Sequence, residues 1–182
     1  MDHVRKDSVE FSVSETSENF SYWLNRPYIG GELRKELEKS TLLVIPSENF
    51  RGKDGPYFPN STEDFLDFLR SNAREGLVPD ICIDDSQFKI IALHHDLIVL
   101  GGIVVTAIVA PVAADLIGEY IKKKIWSDKA EEPTVKFNMT VVETDGKAKM
   151  MSYEGPASAF RKTIGAQLNP KIHSDKPSLE KK

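Results

Sequence analysis

The sequence predicts three parts: a small α/β layer over residues 1–96, one long apolar helix of membrane-spanning length with a basic flank over 97–126, and a C-terminal β-hairpin plus short helix over 134–166. A disordered tail follows at 169–182. Three observations carry this reading. The stretch from Leu97 to Ala114, LIVLGGIVVTAIVAPVAA, holds no ionisable side chain and is bounded by Asp96 and Asp115. The first 85 residues alternate strand-like and helix-like patterns, as a layered α/β unit does. Thr134 to Val142 alternates apolar and polar residues ahead of Asp145-Gly146, a strong hairpin signal.

The elements follow in order. Val9 to Val13 alternates like a half-buried strand, and Thr41 to Ile45 is an apolar run ended by Pro46. Between them, Glu18 to Leu24 places Phe20, Trp23 and Leu24 on one helical face, and Glu32 to Lys39 is a charged helical stretch after Gly30-Gly31. Residues 46–60, PSENFRGKDGPYFPN, read as a loop by their Pro, Gly and Asn content. Ser61-Thr62-Glu63-Asp64 opens a helix, with a hydroxyl to cap it and acids at the positive end of its dipole. Pro79 to Ile83 is a third strand, closed by Asp84-Asp85. Val135, Phe137, Met139 and Val141 share one face of the hairpin's first strand, Lys147 to Tyr153 supplies the second, and Pro156 suits the first turn of a short helix.

A helix rises about 1.5 Å per residue, so a hydrocarbon layer roughly 30 Å thick calls for about 20 apolar residues. Leu97 to Gly118 reaches that length without a polar stripe. Within it Gly102, Thr106, Ala110, Ala114 and Gly118 recur every four residues, a small-residue ridge that would let two helix backbones approach closely and self-associate. Tyr120, Lys122, Lys123, Lys124 and Trp126 read as membrane-interface anchors. Asp115 and Glu119 adjoin the end of the ridge, as snorkelling boundary residues or an acidic ring would. The lysines after the span put its C-terminal side in the cytoplasm, so the expected placement is single-pass in a membrane. The alternative is an apolar helix buried inside an α/β domain.

Charge is unevenly distributed. Residues 1–96 carry 11 basic and 18 acidic side chains, and residues 119–182 carry 13 and 9. The acidic front and the lack of a basic stripe interleaved with aromatics argue against a nucleic-acid partner, and the positive excess after the span suits anionic lipid headgroups. The single cysteine, Cys82, excludes an intramolecular disulfide and reads as a buried thiol. His94, His95 and Asp96 are adjacent, and neighbours about 100° apart on a helix do not share one ion as an i, i+4 pair does. Asp84 with Asp85, and Glu63 with Asp64, have plainer roles at a strand end and a helix start. No GxSxG elbow, P-loop or HExxH is present, so no catalytic, cofactor or metal site is expected.

An α/β front, an apolar helix ending in a basic cluster, then VKFNMTVVETDGKAKMMSYEGP and a short helix together resemble the effector-associated constant components of bacterial conflict systems, over roughly residues 97–165. The resemblance brings no catalytic residues and implies a bacterial signalling or defence setting. The expectation is a non-enzymatic, membrane-associated effector or adaptor that self-associates through its apolar helix, with the lipid bilayer, copies of itself and a possible protein partner as its contacts. The alternative is a soluble protein–protein interaction module with the apolar helix buried.

Overall fold

The computed structural model describes residues 8–92, 97–125 and 132–169. In chain order the elements are β1 (Glu10–Thr16), α1 (Phe20–Leu24), α2 (Gly31–Leu37), β2 (Leu42–Ile45), β3 (Ser47–Glu48), β4 (Pro56–Pro59), α3 (Thr62–Ser71), β5 (Pro79–Ile81), β6 (Ile90–Ile91), β7 (Leu97–Val99), β8 (Gly102–Thr106), α4 (Ala110–Ile125), β9 (Thr134–Val142), β10 (Ala148–Pro156) and α5 (Ala157–Leu168). Among the described residues, seven strands form one sheet in the order β1-β10-β9-β8-β2-β5, with β7 also against β9. A smaller sheet, β3-β4-β6, takes β3 and β4 from the segment expected to be loop and β6 from beyond α3 and β5.

The membrane-spanning helix is the main correction. Leu97 to Ala114 is not one helix: it supplies β7, β8, a turn and only the first residues of α4. No helix among the described residues is long and apolar enough to cross a membrane, so the single-pass placement with a cytoplasmic C-terminal side is withdrawn. The reason is local. Ile103-Val104-Val105-Thr106 is a β-branched run, stiff at χ1 and suited to a pleated surface. A central strand buried on both faces shows no polar stripe and no alternation, so its sequence resembles a lipid-facing helix. Val104 is buried on one face of the sheet, Ile103 and Val105 on the other. Pro111 sits in the first turn of α4, where its missing N–H leaves no hydrogen bond unmade. The 16 residues of α4 include Asp115, Glu119 and Lys122 to Lys124, which makes it an amphipathic helix over a core.

β7 and β8 are one strand interrupted. Val99 pairs with Lys136 and Ile103 with Met139, four steps along one chain against three along the other, which leaves one extra residue as a bulge at Leu100–Gly101. A Cβ on Gly101 would lie 2.9 Å from Val44 Cγ1, so the bulge needs glycine there.

Helices cover the sheet unequally. On one face α3, α4 and α5 pack Phe65, Leu69, Leu116, Ile117, Tyr120, Phe160 and Ile164 over Leu42, Val44, Ile103, Val105, Phe137, Met139, Met151 and Tyr153. On the other, Trp23 of α1 and Leu37 of α2 pack over Leu43, Val104 and Cys82, with Ile45 and Val142 partly buried against them. The outward residues of β9 and β1 beyond them, Lys136, Asn138, Glu10, Ser12 and Ser14, are exposed. The hairpin forms as expected, with Gly146 N–H closing the turn onto Glu143 O at 2.9 Å and Gly146 at φ 84°. The tail expected to be disordered lies, after Asn169, outside the described residues.

Candidate functional site

The bare part of the sheet is walled into a cleft. Its floor comes from strand register: Ile45 pairs with Gly102, and Gly102 lies beside Asn138. On the next rung Thr140 and Met150 continue the floor, while Leu43 and Val104 beside them are covered by α1 and α2. Gly102 lies on the floor between Ile45 and Asn138, where a Cβ would press on Ile45 Cγ1 at 3.3 Å. Glu18 and Trp23 form one wall, the Pro46–Arg51 stretch another, and Leu97 and Val99 an end. The enclosed volume is about 520 Å³, within the range of ligand pockets.

Trp23 is the most informative residue in this wall. The side chain of Asn19 caps α1 by accepting from Tyr22 N–H at 3.1 Å, and its amide donates to Gly146 O at 3.2 Å, tying the helix to the hairpin. The cap holds Trp23 4% exposed, with the Cys82 thiol donating to its carbonyl at 3.7 Å. The indole N–H finds no acceptor. A buried donor left unpaired costs about 1–3 kcal/mol. Burial pushes the Cys82 thiol up to about 12, which keeps it protonated and inert at neutral pH.

The opposite lip has a fixed base and a strained tip. Arg26 donates twice to Glu48, at 2.7 and 2.8 Å, and Tyr28 Oη donates to the same carboxylate at 2.8 Å. The Glu48 hydrogen bond raises the Arg26 pKa, and burial together with Glu48 raises that of Tyr28. Immediately after Glu48 the backbone turns left-handed at Asn49, φ 55°, and again at Arg51, φ 50°. Asparagine visits this region readily, whereas at Arg51 it carries about 1–2 kcal/mol of strain. The Arg51 guanidinium stands 5.0 Å over the Phe50 ring. Around the cleft Glu18 and Glu48 balance Arg51 and Lys136, and Lys136 lies 3.5 Å from Glu154.

A second hollow of about 870 Å³, between α2, α3 and the segment after β5, is lined by Glu36, Glu63, Asp67, Asp80, Asp84 and Asp85. Its Arg70 pairs with Asp80 at 2.9 Å. Asp84 caps the turn at 85–87 by accepting from the Ser86 hydroxyl and from Ser86 N–H, which lowers its pKa. Asp64 accepts from Lys124 and from Tyr120 Oη, which lowers its pKa in that order. Among the described residues no three His, Cys, Asp or Glu side chains are grouped to hold a metal.

The small-residue ridge is divided between two elements. Gly102 and Thr106 lie on β8, while Ala110, Ala114 and Gly118 lie on α4, so the five share no helical face. Ala114 and Gly118 are buried where α5 packs on α4, and a Cβ on Gly118 would meet Arg161 Cγ at 2.6 Å. Asp115 and Glu119 face Arg161 at 3.6 and 4.0 Å, and Glu119 also meets Arg74 at 3.4 Å, so both make ion pairs within the chain. Of the expected interface anchors, Tyr120 is buried against Phe65 and Phe68 with its hydroxyl on Asp64. Lys122, Lys123 and Lys124 are exposed on the last turn of α4, with Lys123 over Phe68 and Lys124 on Asp64. Trp126, His94, His95 and Asp96 lie outside the described residues.

Sequence reasoning missed the cleft, although two signals pointed toward it. The sequence pattern puts Trp23 on an apolar helical face, and the Pro-, Gly- and Asn-rich stretch 46–60 is longer than most connections in compact domains. Neither signal says that the two meet across the sheet. No protein-family model matches the chain, and no curated protein or solved structure matches it significantly.

Proposed function

We propose that the chain is a non-enzymatic protein–protein interaction module, with its apolar residues buried in its own sheet and helices and its open sheet face offered to a partner. One observation carries this reading: the outward face of β9, with Gly102 of β8 and Met150 of β10 beside it, is walled into a cleft rather than left flat. The lining mixes amide, hydroxyl and apolar groups with balanced charges from Glu18, Glu48, Arg51 and Lys136, and Glu48 is already held by Arg26 and Tyr28. Such a surface recognises a ligand but does not present a nucleophile beside a base.

Site-directed photo-crosslinking in cells tests the proposal. Benzoylphenylalanine at Asn138, on the cleft floor, should give a discrete adduct with one partner. The same group at Lys35, exposed on α2, should not. The absence of an adduct at Asn138, or the same set of adducts from both positions, would overturn the proposal.

A further inference from the structure

We propose that β1 pairs edge to edge with β1 of a second copy of this chain, antiparallel and centred on Phe11, so that two sheets become one. The inference is independent of what occupies the cleft. Among the described residues, β1 and β5 are the two edges of the large sheet. β5 is guarded against strand addition: it has three residues, begins at Pro79 and holds Asp80 in an ion pair with Arg70. β1 is longer and less guarded. It pairs with β10 through seven consecutive residues without a bulge, contains neither proline nor lysine, and has no described strand on its outer side.

The side chains of β1 choose the occupant. Phe11 pairs with Tyr153 and Val13 with Met151, so strand alternation puts Val9, Phe11 and Val13 on the face of the larger core, at its rim. Val9 is 41% and Val13 40% exposed. They stand two residues either side of Phe11, so in an antiparallel pair centred there Val9 of each copy meets Val13 of the other, and the two Phe11 rings meet between them. On the opposite face Glu10 meets Ser12 of the copy. The neighbouring registers that keep like faces together lose this match. Centred on Glu10, two carboxylates oppose each other; centred on Ser12, Glu15 meets Val9; centred on Val13, Glu15 meets Phe11. The match is that of a strand with itself, as a two-fold interface requires, and an unrelated strand would reproduce it only by chance. Space permits it as well. Phe160 of α5 stands against Phe137 and Tyr153, over β9 and β10, so both β1 strands separate the helices of the two copies. Three strand spacings are about 14 Å, more than the roughly 8–10 Å that packed helices need.

The test is sedimentation of the full chain over a concentration series, with crosslinking to fix the register. One strand pair is a small interface, so the expected result is a monomer–dimer equilibrium in the micromolar range. Val13→Lys puts a charge at an exposed edge position and should weaken the dimer by roughly tenfold, with the helical circular dichroism unchanged. Ile108→Lys, at a position 80% exposed in the turn before α4, should leave the dimer intact. A mixture of Val9→Cys and Val13→Cys chains should give a covalent dimer with a short thiol crosslinker, and neither variant alone should match it; Cys82 is buried and does not compete. A chain that stays monomeric at about 1 mM would overturn the proposal. So would a dimer that Val13→Lys leaves as tight as wild type, because the contact would then lie elsewhere. Efficient linking of Val13→Cys chains alone would overturn the Phe11-centred register.

Discussion

Tyr120 and Gly101 show how single residues decide what the apolar segment becomes. Tyr120 has its ring among Phe65 and Phe68 and its hydroxyl on Asp64, so one side chain serves the core and a surface ion pair at once. Tyr120→Phe should destabilise the fold by about 0.5–1 kcal/mol at neutral pH, the small end of the range for a charged acceptor, since that carboxylate is largely solvated. The Asp64 pKa is lowered in the fold, first by Lys124 and then by Tyr120. Its stabilising contribution is therefore present above the unfolded value of 3.8 and is lost as pH falls through the folded one. Urea midpoints measured against pH should show the difference between wild type and variant closing below about pH 4. Gly101 is a steric case. Gly101→Ala would force a Cβ to within 2.9 Å of Val44 Cγ1 on a fully buried strand, and should cost about 1–3 kcal/mol. Gly31→Ala, where nothing lies within 4 Å of the added carbon, should be neutral or stabilising by up to about 1 kcal/mol in the same melts.

Elements with a period were legible in the sequence; elements buried on both faces were not. Val135, Phe137 and Met139 alternate with exposed Lys136 and Asn138, and the hairpin formed from that pattern and Asp145-Gly146. The helix opening at Ser61 was also readable from its acids, although Ser61 Oγ donates to Val99 O at 3.2 Å instead of capping the helix. The run from Leu97 to Ala114 has no period because β8 is sandwiched, and a hydropathy count carries straight across a bulge and a turn that the backbone does not ignore. The cleft was illegible for another reason: its walls come from positions near 20, 50, 100 and 140, and only the sheet brings them together. Two arginine substitutions within that one run separate a strand from a span. Val105→Arg buries an unpaired charge at a position that is 0% exposed and should cost more than about 4 kcal/mol, abolishing the folded state. Ile108→Arg, at a position 80% exposed in the turn before α4, should stay within about 0.5 kcal/mol of wild type in thermal melts. A continuous lipid-facing helix would penalise both substitutions, so equal losses would contradict the strand.

For the molecule as a whole, β2 and β8 tie two cores into one. Leu42, Val44, Ile103 and Val105 serve the face under α3, α4 and α5, while Leu43 and Val104, between them in sequence, serve the face under α1 and α2. Neither core can lose its sheet wall without exposing the other, and β8 sits between β2 from the front of the chain and β9 from the rear. That arrangement predicts a single cooperative transition. Each face has its own probe. With Trp126→Phe, Trp23 is the one remaining indole of the chain's two, and its fluorescence reports the smaller core. Helical circular dichroism reports chiefly the other face, because α3, α4 and α5 have 10, 16 and 12 residues against 5 and 7 for α1 and α2. Urea curves from the two probes should superimpose in midpoint and slope, since the slope follows the surface exposed in one event. If Trp23 fluorescence changed at lower urea than the helical signal, α1 and α2 would be peeling away separately, and the wall of the cleft that carries the unpaired indole would be a mobile flap over a sheet that folds without it.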